Sequence, residues 1–291
     1  MDFSNFKFRC SSLGYIMADP KGKSNADKFN EAFEAAKKLY FEMEDMNKET
    51  KKYEQAQEKL SKLNLKMDQL RPIKDRPFLS DTCKTHLCDV YTSSKYGRTE
   101  DVKSKYLEKG TLMEEDAITL YSLYSGEFYQ KNRERRYNDF IEGEMDFEGQ
   151  DIVIDTKVNW SIFQFTRTAA KPIKPLYHWQ LDGYMWLWNK PKGRLVYALI
   201  DTPEHLIKLE EKRLLYDFVG SENDYEEACN EIRKNHNYSD IPNEERVRIF
   251  DVYYQEERIE KIKSRVKECR NYLNNLNNKN IDDEDETEDS Q

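Results

Sequence analysis

Cysteine is scarce and forms no framework. Five cysteines in 291 residues is an odd number with no repeated spacing, which argues against a disulfide-stapled scaffold and for a reducing compartment, the cytoplasm. Cys83 and Cys88 lie far in sequence from the other thiols, and His86, His178, His205 and His236 contain no HxxxH pair. The ligand patterns of a zinc enzyme are therefore missing. Long hydrophobic runs are missing too. The longest, "YMWLW" and "LVYALI", suit buried elements rather than membrane spans, and the opening "MDFSNFKFRC" lacks the apolar core of a secretory signal. No GxxxxGK[ST] loop, GxGxxG turn or GxSxG elbow occurs, which removes the ordinary nucleotide-binding and serine-hydrolase readings.

Charge, in contrast, is abundant: 35% of residues are charged, 13% are aromatic, and the net charge is −9. Such a balance is too aromatic for a disordered chain. The final eleven residues, "IDDEDETEDSQ", hold seven acids and no base, so the other 280 residues sum to only −2. A local basic groove is compatible with that, and residues 281–291 are expected to be a solvated, disordered acidic tail.

The expected fold is α/β (α+β), a mixed central sheet flanked by helices. Residues 1–280 are read as one domain. Within it, a helical arm over about 26–75 is rich in Glu, Lys, Ala, Leu and Met, and its apolar spacing is too irregular for a heptad. "FKFRCSSLGYIM" reads as a short strand or turn entering a helix, with Ser11 or Ser12 as cap. Residues 82–109 read as a mixed, partly helical connection. "KGTLMEEDAITLYSLYSG" reads as one amphipathic helix stopped at Gly126. "YNDFIEGEMDF" and "DIVIDTKV" read as a hairpin closed by "EGQD"; "HWQLDGYMWLWN" as a helix; "GRLVYALIDTP" as a strand followed by the helix "EHLIKLEEKRLLYDFV"; "ERVRIFDVYYQ" as a last strand; and residues 256–276 as a final helix.

The chemistry concentrates at the hairpin. In the second strand Ile152, Ile154, Thr156 and Val158 share one face, while Val153, Asp155 and Lys157 share the other. Simple closure would set Asp146 beside Val153 and Glu144 beside Asp155. Carboxylates this close repel unless a cation lies among them, and oxygen ligands suit Mg²⁺ or Mn²⁺. Glu114 heads the apolar stripe of Ala117, Ile118 and Tyr121, and Gln180 and Tyr184 share a helix face. Taken singly, each of these residues is more commonly an ordinary surface or core position; their order is what is specific.

That order is Gly110-x3-Glu114-x2-Ala117-x3-Tyr121, Gly143-x2-Asp146, Asp155-x-Lys157 and Gln180-x3-Tyr184. It resembles the PD-(D/E)xK nuclease superfamily, with the phage lambda-type exonucleases as the nearest branch, over residues 5–20 and 105–260. The resemblance implies a restriction-endonuclease-like core over about 105–260 and a metal-dependent DNA exonuclease acting on linear duplex ends, 5′ to 3′, in phage-type recombination or end processing. By the same resemblance Asp146, Asp155 and the Thr156 backbone carbonyl hold two Mg²⁺ or Mn²⁺ ions, and Glu114 reaches them directly or through water. Lys157 polarises the attacking water, and Gln180 orders the site. Arg9, Ser11, Ser12, Tyr184 and Arg167 are the expected DNA contacts. A ring-shaped homo-oligomer (a trimer), a single-strand annealing partner and a bacterial host cytoplasm complete the picture. Met145 stands where the motif has Pro, Asp155 where it often has Glu, and Glu144 where a small residue is usual. Two alternatives stay open: an endonuclease or nickase on the same core, and a non-catalytic DNA-binding or assembly factor. Cys229 and Cys269 form no close cluster of the kind the iron-sulfur relatives need.

Overall fold

The structure, a computed structural model, describes residues 1–100 and 104–278. The expected acidic tail, 281–291, lies outside the described residues. Two compact units are present: Ala18–Leu87, and Met1–Met17 together with the described chain from Cys88 onward.

In chain order the elements begin with β1 (Phe8–Arg9), a 3-10 turn (Cys10–Ser12) and α1 (Leu13–Ile16). Helices α2 (Asn25–Glu44), α3 (Lys51–Leu70), α4 (Asp81–Tyr96), α5 (Lys105–Leu112) and α6 (Glu114–Ser125) follow. Next come β2 (Arg136–Tyr137), β3 (Ile141–Gly143), β4 (Phe147–Glu148), β5 (Ile152–Val158), α7 (Ile162–Ala169) and α8 (Pro175–Trp188). The remainder is β6 (Lys192–Ala198), α9 (Glu204–Asp217), α10 (Glu222–His236), β7 (Val247–Tyr253) and α11 (Glu256–Asn278). Among the described residues no helix is long and apolar enough to cross a membrane.

In the unit Ala18–Leu87, Ser24 and Asp27 cap α2 reciprocally and Thr50 caps α3. The two helices pack antiparallel: Ala32 and Ala36 face Met67, and Leu39 and Met43 face Ala56. Alanine set against methionine lets the backbones approach without a repeating leucine seam, which accounts for the missing heptad.

The other unit holds two sheets. β1, β3 and β2 form a small one, with β1 parallel and β2 antiparallel to β3. β4, β5, β6 and β7 form the main one, in that order, with only β5 and β6 parallel. A parallel pair cannot be joined by a tight turn, so α7 and α8 serve as its crossover. One face of the main sheet (Ile154, Val196, Ala198) packs on Ala117, Ile118 and Tyr121 of α6. The other face meets α8, whose Leu181 and Met185 lie over Gly193. Burial between sheet and helices makes α8 apolar on most sides, and its charged Asp182, fully buried, is paired with Arg258 of α11.

Several boundaries differ from the sequence reading. The expected helix through Gly126 is two helices, α5 and α6, meeting at Met113. The expected strand 137–147 splits into β2, β3 and β4, and these belong to different sheets. The N-terminal segment is fixed by contact with α8. A Cβ on Gly14 would lie 2.6 Å from the Leu176 backbone, and one on Gly183 would lie 2.6 Å from Leu13. Glycine is the residue that lets these two backbones touch.

Candidate active site

Alternation along β5 sets the site. Ile152, Ile154 and Val158 turn to the α6 side, which leaves Asp155 facing α8. There Asp155 is 1% exposed, and its Oδ1 accepts a 3.0 Å hydrogen bond from the Gln180 amide. The same amide nitrogen donates to the Tyr184 hydroxyl at 3.0 Å, so Gln180 is fixed at two points. Lys157 brings its Nζ to 2.5 Å from Asp155 Oδ2. This is a charge contact rather than an aligned hydrogen bond, and Oδ2 has no hydrogen-bond partner.

Asp146 enters from the other side of the hairpin. Its Oδ2 accepts from the Thr156 amide at 2.5 Å and from the Thr156 hydroxyl at 2.6 Å. The register producing this differs from the expected one by two residues. Phe147 pairs with Ile154 and Glu148 with Val153, because the Gly149 amide bonds to the Ile152 carbonyl and keeps 149–152 in the turn. Asp146 is thereby carried past Val153 to the level of Asp155 and Thr156. Glu144 goes off the end of the ladder and is exposed; it does not line the cleft. Glu114, the first residue of α6, does line it, and pairs with Lys131 at 3.3 Å.

Of these groups Glu114, Asp146, Thr156 and Lys157 open on a cleft of about 370 Å³. One wall is Tyr106, Leu107, Gly110 and Thr111 of α5; opposite are Asn159, Gln164, Thr168, Lys174 and Tyr177, with Tyr197 reaching in from β6. Apart from Gly110, which opens the motif order, sequence reasoning did not find these wall residues. Tyr197 sits beside Lys157 only through the parallel β5–β6 register, which no local pattern reveals.

The electrostatics follow from burial. Burial, with Asp146 and Glu114 nearby, pushes the Asp155 carboxyl up to about 7, against the pull of Lys157. Burial raises Glu114 as well, and Asp146 adds to it. For Lys157 burial alone would lower the pKa, yet Asp155 and Asp146 together outweigh it and raise it. Three acids thus share one poorly solvated site with two ammonium groups, Lys157 beside Asp155 and Lys131 beside Glu114. As donors they suit a hard divalent cation, since Asp146 and Asp155 each have one oxygen tied by protein donors and a second oxygen outside those bonds. Among the described residues, no three His, Cys, Asp or Glu side chains converge closely enough to make a finished cage.

The remaining expected contacts lie elsewhere. Tyr184 is 4% exposed, so its part is to hold Gln180 rather than to meet DNA at the surface. Arg9 is exposed on β1, Ser11 is exposed beside it, and the Ser12 hydroxyl donates to the Arg9 carbonyl at 2.8 Å; none of the three lines the cleft. Arg167 is exposed on α7, next to the cleft residue Thr168.

No family model matches the chain, and no curated protein does. Among solved structures it is similar to a phage-related exonuclease from Haemophilus somnus 129PT, at 26% identity and a TM-score of 0.61, over 94% of this chain and 96% of that one. It is also similar to the alkaline exonuclease LHK-Exo from Laribacter hongkongensis, at 14% identity and a TM-score of 0.46, over 68% and 85% of the two chains. The first likeness spans both chains almost end to end, and with the motif order it shows the fold to be that of the phage-type, lambda-exonuclease-like branch of the PD-(D/E)xK superfamily.

Proposed function

We propose that the chain is a divalent-metal-dependent deoxyribonuclease that removes nucleotides from linear duplex ends, running 5′ to 3′. The observation that carries this reading is the meeting of Asp146, Asp155 and Lys157, from the two arms of one hairpin: Asp146 and Lys157 line a cleft that Glu114 also lines, and Asp155 is buried directly behind Lys157. The full-length likeness to a phage-related exonuclease supports it.

In this reading Asp146, Asp155, the Thr156 carbonyl and Glu114 would hold Mg²⁺ or Mn²⁺. A cation bound there supplies water activation and neutralises charge on the phosphate. The chain's own groups do the rest. Lys157, with its raised pKa, stays an ammonium at neutral pH, so it is a fixed charge facing the phosphate and not a proton acceptor. Gln180 holds one oxygen of Asp155, which fixes the direction of the other. Tyr184 holds Gln180, and Thr156 holds Asp146, so none of these side chains reorganises as charge develops. The expected ring oligomer and annealing partner belong to the same proposal and rest on the family resemblance.

The test is incubation with Mg²⁺ of a 5′-phosphorylated linear duplex, labelled at either end, beside a covalently closed circle. Release from the 5′ end of the linear substrate alone is expected. Cutting of the circle would replace exonuclease by endonuclease, and binding without cleavage under any divalent metal would replace nuclease by binding factor.

A further inference from the structure

The segment from Thr156 to Leu181 holds no Asp or Glu in 26 residues, although the chain has 56 acids in 291 and about five would fall there at average density. It carries Lys157, Arg167, Lys171 and Lys174. Much of one side of the cleft is built from this segment, through Asn159, Gln164, Thr168, Lys174 and Tyr177. Arg167, Lys171 and Lys174 are exposed, and among the described residues none of them pairs with a carboxylate. Elsewhere on the surface cations are commonly paired, as Lys62 is with Glu58, Arg136 with Glu134 and Arg233 with Glu204. Gln164 and Thr168 are one helical turn apart and both face the cleft. The Gln164 carbonyl oxygen is taken by the Trp160 amide at 2.8 Å, which leaves its NH₂ as the free end. Two further residues of the cleft hold buried polar atoms without a hydrogen-bond partner, the Asn159 amide oxygen and the Tyr197 hydroxyl.

Unpaired cations interleaved with neutral amide and hydroxyl groups are the chemistry of sequence-independent phosphate contact. We infer that α7 and the α7–α8 connection form a track for the phosphodiester backbone of the DNA strand leading to Lys157, with Arg167, Lys171 and Lys174 as its charged contacts and Gln164 and Thr168 as neutral ones. The inference rests on the nuclease reading for the identity of the strand. A wall free of acids keeps a polyanion from being repelled as it approaches three carboxylates. The same bias raises the local concentration of substrate at an enzyme whose net charge is −9.

The experiment measures binding in EDTA, where nothing is cut, by anisotropy of a short labelled linear duplex as salt is raised. Cleavage of the same duplex with Mg²⁺ is followed in parallel. The variant R167Q/K171Q/K174Q is expected to flatten the slope of log K against log salt by about 2 to 3, at roughly 0.7 to 0.9 per phosphate contact. It should weaken binding at low salt at least tenfold and raise KM while kcat stays within twofold. R167K/K171R/K174R should restore both, and all variants should melt as wild type does. An unchanged slope and affinity would overturn the track even if the wild type degrades DNA. An equal loss from the charge-matched K261Q/K263Q/K267Q on α11 would overturn it too, since net charge alone would then explain the effect. If the wild type binds with the predicted slope but releases no nucleotide, the track stands and the nuclease reading falls.

Discussion

Lys109 gives the sharpest prediction about how the cleft is built. It lies in α5 at 1% exposure, with its ammonium 3.1 Å from the Trp160 carbonyl and 5.7 and 5.6 Å from the Trp160 and Tyr238 rings. This bond ties one cleft wall, α5, to the loop that leaves β5 after Lys157 and Val158. Burial pushes the amine down to about 7 from 10.5, opposed by the charge of Asp201. The sign follows directly. The unfolded chain holds this proton up to about pH 10.5 and the folded chain releases it near 7, so between these values the unfolded state binds more protons and stability rises with pH. At about 1.4 kcal/mol per pH unit, the whole window is worth at most about 5 kcal/mol. Lys109→Met removes this cost but leaves the Trp160 carbonyl with only the long 3.5 Å bond from the Tyr238 hydroxyl, a loss of about 1 to 3 kcal/mol. At pH 6.5 the variant should therefore be more stable than wild type, by at most about 2 to 4 kcal/mol after that loss is subtracted. By pH 10 the gap should close or reverse. Urea melts of both proteins across this range measure the difference, in which other titrating groups cancel. A gap that stays constant from pH 6.5 to 10 would refute the claim that Lys109 is held desolvated. Because the tie is lost, the more stable variant should also show a raised KM for DNA, a trade of function for stability.

Three further outcomes follow from the packing around α8. Asp182 is fully buried and accepts from Arg258 at 2.7 and 2.6 Å, so Asp182→Ala should cost about 3 to 5 kcal/mol by stranding the guanidinium, while Asp182→Leu with Arg258→Met should recover most of it; chemical denaturation reads both. Tyr184→Phe deletes one partner of Gln180 without touching the cleft surface. It should lower kcat several-fold and leave DNA affinity unchanged, whereas an affinity loss would return Tyr184 to the DNA contacts. Gly14→Ala sets a methyl group 2.6 Å from the Leu176 backbone and should lower stability by about 1 to 3 kcal/mol, read as a fall in melting temperature.

Much of the site was legible because it depends on period and order. The two-residue alternation of β5 put Asp155 and Lys157 on the face opposite Ile152, Ile154 and Val158, and the structure keeps that division. Glu114 was legible as the head of the α6 stripe. The hairpin register was not, because the Gly149–Ile152 hydrogen bond sets the turn one residue later, at 149–152 instead of 148–151, and so moves each cross-strand pairing by two, a detail of turn geometry rather than of pattern. That shift takes Glu144 out of the site and brings Asp146 to Thr156. Helix α7 was hidden by its length of eight residues and its mixed polar and aromatic content, and α10 by a largely polar sequence, although Ser221 with Asp224 spelled out its capping box. Tyr197 and Asn159 were invisible for a different reason. Their place at the cleft depends on a parallel pairing across a crossover, and such a pairing leaves no local trace in sequence.

The central claim is that Lys157, Asp155 and Asp146 act together on a DNA phosphate with a divalent cation. The most direct measurement is the rate of nucleotide release from a linear 5′-phosphorylated duplex as Mg²⁺ is titrated, for wild type, Lys157→Ala, Asp155→Ala and Asp146→Ala, each shown by melting to be folded. The account predicts metal-dependent release by the wild type and its loss, by at least a hundredfold, in all three variants. Release that persists in Lys157→Ala, or that is indifferent to chelation, would contradict it.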